Sequence, residues 1–201
     1  MIYVVGLGPG SRDYILPKAV ETLENSDMVV GFSRALESID FINTNKAVVK
    51  TLSDILKIVE ENPSKKISII ASGDPCFYGV TDYIKRNLEE YNVEIVPGLS
   101  SFQYLMSKIG KSWNGKFLGS VHGREEDFLA LVKENSACIF LTDSKNSPKA
   151  LASKLFEENI SCNIWVGENL SYEDEKITVG TPEEIMKKEF SSLSVFVVEE
   201  I

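Results

Sequence analysis

Four short segments carry residue types that can bind and turn over a small molecule. Gly6-Leu7-Gly8-Pro9-Gly10 follows an apolar run, and its glycines let the backbone turn tightly and approach a ligand. Ser72-Gly73-Asp74-Pro75, with Tyr78 and Gly79 after it, sets a carboxylate in a turn. That carboxylate can accept hydrogen bonds from an amino or hydroxyl group, or cap the following helix. Pro97-Gly98-Leu99-Ser100-Ser101 offers two hydroxyls that cap a helix or bond a ligand. His122-Gly123-Arg124 combines the chain's single imidazole, a group that titrates near neutrality, with a guanidinium fork that matches carboxylates.

The elements that must position these segments are short apolar runs alternating with helical periodicity. Strands are expected at Tyr3–Val5, Met28–Val30, Ala47–Val49, Ile67–Ala71 and Val93–Val96. Helices are marked by Leu52, Ile55, Leu56 and Val59, by Val80, Ile84 and Leu88, and by Phe102, Leu105, Met106 and Ile109. This alternation predicts an α/β domain with a mostly parallel sheet over residues 1–110. The stretch 110–116, with two glycines and a tryptophan, reads as a linker. A second α/β domain follows over 111–201. Its strands are expected at Phe117–Val121, Cys138–Leu141, Asn163–Val166, Lys176–Val179 and Val195–Val198, and its helices at Glu125–Glu134, Pro148–Glu158 and Pro182–Lys188. Each of the four segments therefore follows a strand, at the edge where open α/β sheets bind ligands.

The opening glycine run departs from a dinucleotide fingerprint in three ways. Ser11 holds the place of its third glycine, Pro17 sets a later helix start, and Asp27 precedes the second strand while Gly31 follows it. Composition narrows the field further. The net charge is −9, and both halves are acidic, which disfavours nucleic acid as the main partner. Cys76, Cys138 and Cys162 stand far apart with no zinc-ligand spacing, so no metal is expected, and their pattern fits a reducing compartment. No apolar run has the length of a membrane span, and the N-terminus lacks the features of a signal peptide, so a cytoplasmic protein is expected. Of only four arginines, Arg12, Arg34 and Arg124 each follow a predicted strand, while Arg86 lies in a helix. That placement concentrates positive charge where an acidic protein would need it to hold a polyanion; the alternative is three solvated surface residues.

Gly6–Gly10, Ser72–Pro75 and Pro97–Ser101, in this order, resemble the tetrapyrrole (corrin/porphyrin) methylase family across about residues 1–199. Val121-His122-Gly123-Arg124, the run Ile69–Pro75, and Gly31 followed by Arg34 and Leu36 resemble the branch that methylates C5 of (cobalt-)precorrin-6B to give (cobalt-)precorrin-7. The resemblance implies a two-domain α/β fold with S-adenosylmethionine in the cleft between domains, and a homodimer. It assigns Gly73, Asp74, Phe77, Ser100, Ser101, Leu141 and Thr142 to the cofactor, with Gly167-Glu168-Asn169 under the adenine. Gly8, Pro9 and Gly10 fall on the substrate side, where Arg12, Arg34, His122 and Arg124 join them. Two departures stand out. Leu16 replaces the threonine that often caps the first long helix, and the chain ends at Ile201 without the second methyltransferase of the fused relatives, so a separate enzyme is expected to methylate C15 and decarboxylate the ring.

A sulfonium is already an activated methyl donor, so the enzyme's expected work is alignment and exclusion of water. His122 is the only imidazole available to take a proton from the ring, and positioning a carboxylate arm is its equal alternative. The competing readings are a methyltransferase of the same fold acting on another corrin position, on rRNA or on diphthamide, an NAD-dependent oxidoreductase, and a non-catalytic nucleotide-binding module. The acidic charge and the His-Gly-Arg segment weigh against the rRNA and diphthamide substrates, and the failed fingerprint against NAD.

Overall fold

The computed structural model describes residues 1–124 and 126–201. The chain forms two units, Met1–Ser100 and Ser101–Ile201. The first contains β1 (Ile2–Gly6), α1 (Pro17–Glu24), β2 (Met28–Phe32), α2 (Ser33–Glu37), β3 (Lys46–Val49), α3 (Leu52–Glu61), β4 (Ile67–Ala71), α4 (Thr81–Asn87) and β5 (Val93–Val96). Its strands make one sheet in the order β3-β2-β4-β1-β5, with every pairing parallel. Parallel strands joined by helices are covered on both faces and must be apolar on both. Ile2, Val4, Ile67 and Ile69 enter one core with Ile55, Val59 and Ile84; Val5 and Ile70 enter the other with Ala19, Leu23 and Leu36. Ser68 is a buried polar residue on β4, and the Ser26 hydroxyl satisfies it at 2.7 Å.

The adjacent central strands β1 and β4 lead to opposite sides of the sheet, β1 to β2 and β4 to β5. Their C-terminal loops thus open at the reversal of strand order, the place where α/β sheets form binding crevices. Helix α1 starts at Pro17, and Leu16 supplies no side-chain cap, as the sequence predicts. Gly31 lies within β2, where Ile70 crowds it, and does not follow the strand. Arg34 is helical, one residue into α2.

The second unit contains α5 (Ser101–Lys108), β6 (Phe117–Ser120), α6 (Phe128–Glu134), β7 (Ala137–Leu141), α7 (Pro148–Glu157), β8 (Cys162–Glu168), β9 (Lys176–Gly180), α8 (Pro182–Ile185) and β10 (Ser194–Glu200). Its sheet order is β6-β7-β10-β8-β9; only β6 and β7 are parallel. Phe140, Ile164, Phe196 and Val198 pack with Phe128, Val132, Leu151 and Leu155 in a single core. Cys138 and Cys162 belong to it, and burial pushes their thiols up to about 12 and about 11.

Several boundaries differ from expectation for identifiable reasons. Helix α5 packs on β7 and β10 and groups with the second unit. The stretch 110–116 is more than a linker: Lys111 and Lys116 both pair with Glu199 of β10, and the Lys111 ammonium stands 4.4 Å over the Trp165 ring. Helix α6 begins at Phe128 because Asp127 caps it, accepting the Ala130 N–H at 3.1 Å; Glu125, the expected start, lies outside the described residues. Helix α8 ends at Ile185, with turns continuing to Lys188. Among the described residues, no helix is long and apolar enough to cross a membrane.

Candidate functional site

Three of the four segments meet at the C-terminal edge of the first sheet. Gly8 and Gly73 exchange backbone hydrogen bonds, with Gly8 N–H donating at 3.2 Å and Gly73 N–H at 2.8 Å. Gly98 packs against Gly73 and Gly6 because it has no side chain: a Cβ there would strike the Gly73 carbonyl and the Gly6 backbone. Asp74 ties the same loops together. One carboxylate oxygen accepts the Cys76 N–H at 2.8 Å and the other accepts the Gly98 N–H at 3.3 Å. Asp74 therefore does not cap α4, which begins seven residues later at Thr81. A carboxylate has about four lone-pair sites, so two remain for a ligand.

The other predicted residues of this unit flank that junction. Pro9 is buried, and Gly10 is half-buried beside it. Phe77 is half-buried and edge-on to Tyr78 at 5.0 Å. Ser100 is buried at the end of its loop. Arg12 lies in a short 3-10 turn with its guanidinium 4.0 Å over the Phe41 ring, which uses one face of the fork. Arg34, after β2, is exposed. Arg12 and Arg34 thus follow β1 and β2, the two neighbours of β4, which carries the Asp74 turn.

In the second unit the predicted residues gather where β6 and β7 end. Val121 N–H donates to the Leu141 carbonyl at 2.9 Å, continuing the parallel ladder by one rung. His122 then turns out of the sheet. Its Nδ1 is 2.9 Å from the Thr142 carbonyl. A carbonyl only accepts, so Nδ1 carries the proton and Nε2 holds the lone pair of the neutral ring. Thr142 is buried, and its hydroxyl donates to the Ser194 carbonyl at 2.7 Å. Leu141 is half-buried beside it, and Arg124 is exposed.

Asp143 and Asn146, which the sequence reading passed over, hold this turn. Asp143 accepts the Gly123 N–H and the Asn146 N–H, each at 2.6 Å. Asn146 donates its side-chain amide to the Val121 carbonyl at 2.9 Å. The Asn146 and Gly123 N–H groups hold the Asp143 carboxyl below its usual range. Their signal was an Asp-x-x-Asn run directly after a strand, which reads as an ordinary turn until its partners are known.

At the end of β8, Glu168 is buried. One of its oxygens accepts the Ser191 N–H at 2.9 Å; the other has no hydrogen-bond partner among the described residues, with Lys176 Nζ 3.9 Å away. Asn169 follows with φ of 46°, its amide donating to Asp174 and its oxygen accepting from Ser191. Buried acceptors without donors are rare. The lone Glu168 oxygen in the second unit and the remaining lone pairs of Asp74 in the first are each acceptors open to a donor.

The sequence model of the Tetrapyrrole (Corrin/Porphyrin) Methylases matches residues 1–186. A probable cobalt-precorrin-7 C(5)-methyltransferase of Methanocaldococcus jannaschii is 38% identical, over 99% of this chain and 98% of its own length. The cobalt-precorrin-7 C(5)-methyltransferase of Salmonella typhimurium is 31% identical over 88% of this chain and 89% of its own. A uroporphyrin-III C-methyltransferase from Thermus thermophilus, solved with S-adenosylhomocysteine, superposes with a TM-score of 0.83 at 19% identity, covering 99% of this chain and 97% of that one.

Proposed function

The chain belongs to the tetrapyrrole (corrin/porphyrin) methylases, and from that premise we propose that it methylates C5 of a cobalt-precorrin ring with S-adenosylmethionine. The observation that carries the reading is the match to the M. jannaschii relative along almost the whole of both chains. The cofactor, when bound, supplies a methyl group already activated on sulfur. The chain's own residues bind, orient and accept a proton.

The residues assigned to the cofactor are Gly73, Asp74, Phe77 and Ser100 of the first unit and Ser101, Leu141, Thr142, Glu168 and Asn169 of the second. The tight contact of Gly6, Gly73 and Gly98 supports this, since it keeps side chains out of the loop junction and leaves main-chain atoms and the Asp74 carboxylate to face a ligand. Gly8, Pro9, Gly10, Arg12, Arg34 and Arg124 face the ring, the arginines matching its carboxylate arms. His122 takes the proton that the ring loses, at Nε2. The enzyme works as a cytoplasmic homodimer, and a separate enzyme serves C15. The acidic charge of −9 supports a small-molecule substrate over nucleic acid.

Two experiments test this. In a thermal-shift panel S-adenosylhomocysteine raises the melting temperature and NAD does not. Incubation with methyl-labelled cofactor and a panel of corrin intermediates, followed by mass spectrometry, adds one labelled methyl to the C5-unmethylated ring. Label on no ring, or on a different carbon, overturns the assignment.

A further inference from the structure

We propose that Asp143 is a positioning residue for His122, fixing the imidazole with Nδ1–H on the Thr142 carbonyl and the Nε2 lone pair turned outward as a proton acceptor. The proposal deepens the role given to His122 above and rests on it.

A neutral conjugated ring that takes a methyl group from a sulfonium gains one positive charge and loses a proton to become neutral again. The carbon–sulfur bond breaks, a ring electron pair forms the new carbon–carbon bond, and a proton leaves so that its bonding pair returns to the ring. A neutral imidazole accepts that proton only at the nitrogen with the lone pair, so the tautomer decides whether the ring can serve. In water, neutral histidine favours the other form, with the proton on Nε2. Something here must reverse that preference.

The turn is built to do so. Gly123 stands at φ 63°, a left-handed conformation that reverses the chain directly after His122. In that conformation its N–H points at Asp143 and donates at 2.6 Å. The second Asp143 oxygen is fixed in turn by the Asn146 N–H, also at 2.6 Å. On the other side of His122, the Asn146 amide holds the Val121 carbonyl, and His122 N–H donates to the Ser120 hydroxyl at 3.2 Å. The backbone on both sides of the imidazole is thus tied to one short loop, and that loop also presents the Thr142 carbonyl to Nδ1. Asp143 is the hinge of the arrangement, because it joins the Gly123 N–H to the loop that carries the acceptor.

The chain has one histidine, so nitrogen-15 NMR of histidine-labelled protein reads this ring without assignment work. In the wild type above pH 7.5, the proton-coupled nitrogen is expected to be Nδ1. In Asp143→Asn, whose amide can accept only one of the two N–H groups, the Nε2–H form gains at least severalfold in population. Turnover falls about tenfold or more in the same variant, while S-adenosylhomocysteine affinity holds. A wild-type ring with the proton on Nε2 overturns the proposal whatever the variants do. So does an Asp143→Asn ring unchanged in a folded protein. If Asp143→Asn does not fold, Asp143→Glu carries the test, keeping the charge while displacing it by one methylene: an unchanged tautomer there also counts against Asp143. Failure of the substrate reading looks different, with no ring methylated by any variant and the tautomer result intact.

Discussion

Variants of Asp74 separate its tie to the loops from its proposed contact with the cofactor. Truncation to alanine removes the acceptor for both the Cys76 and Gly98 N–H groups, and a half-buried loss of this kind costs about 1–3 kcal/mol of stability. If the same carboxylate binds the cofactor, calorimetry on Asp74→Ala shows S-adenosylhomocysteine affinity falling by a similar 1–3 kcal/mol. Lower stability with an unchanged dissociation constant would instead confine Asp74 to shaping its loops. The three arginines also divide on inspection. Arg12 covers the Phe41 ring, and Arg124, which follows His122 in the segment that resembles the C5 branch, is the one to test first. Arg124→Ala is expected to raise the substrate KM about tenfold or more, the worth of a charge-assisted hydrogen bond of about 1.5–3 kcal/mol. Arg124→Lys recovers only part if the contact is bidentate. Steady-state kinetics at two salt concentrations checks this, since screening weakens a polyanion's binding more than the cofactor's.

Among the elements, the junction of the β1, β4 and β5 loops is the most sharply constrained. Gly98→Ala puts a methyl group against the Gly73 carbonyl and the Gly6 backbone, neither of which can swing aside as a side chain would. Overpacking of this kind costs about 1–3 kcal/mol, and it parts the loops proposed for the cofactor. Urea denaturation and calorimetry on Gly98→Ala should therefore show lost stability and lost affinity together. Gly110→Ala, where a Cβ meets nothing within 4 Å, carries only the strain of a φ of 65° and leaves affinity alone. These loops were legible in the sequence because Gly-x-Gly, Gly-Asp-Pro and Pro-Gly each follow an apolar run with an unambiguous period. Their mutual contact was not, since it depends on β4 inserting between β2 and β1, an order no local pattern encodes. Helix α5 shows the same limit. Phe102, Leu105 and Met106 announce a helix with one apolar face, but the face does not say which sheet will cover it. Asp143 was missed because its partners lie twenty residues upstream and three downstream.

For the molecule as a whole, acid is the informative stress. Asp143 is held low by the Asn146 and Gly123 N–H groups, and Glu199 by Lys111 and Lys116. Asp54 and Glu184 are held low by the backbone N–H groups of their capping boxes. A carboxyl lowered in the folded state contributes stability that is present above its unfolded value, near 4, and is lost as pH falls through the folded one. The urea midpoint is therefore expected to hold from about pH 5 to 7 and to drop below about pH 4. Glu199→Gln should flatten part of that drop while lowering the plateau, measured by circular dichroism across the pH series.

Strand β10 has a consequence for how the protein is made. It is the last strand in chain order, yet it lies between β7 and β8 and pairs with both. On a ribosome, residues 1–100 emerge with all five strands of their sheet in hand and can fold while synthesis continues. The second unit cannot: β7 and β8 both wait, with their apolar faces uncovered, until residues 194–200 have cleared the exit tunnel. Cys138 on β7 and Cys162 on β8 record that wait. Both are buried in the finished protein, so in a chain truncated before residue 194 and freed from the ribosome they should alkylate rapidly, and in the chain with β10 they should be protected, while Cys76, exposed in the finished fold, reacts in both.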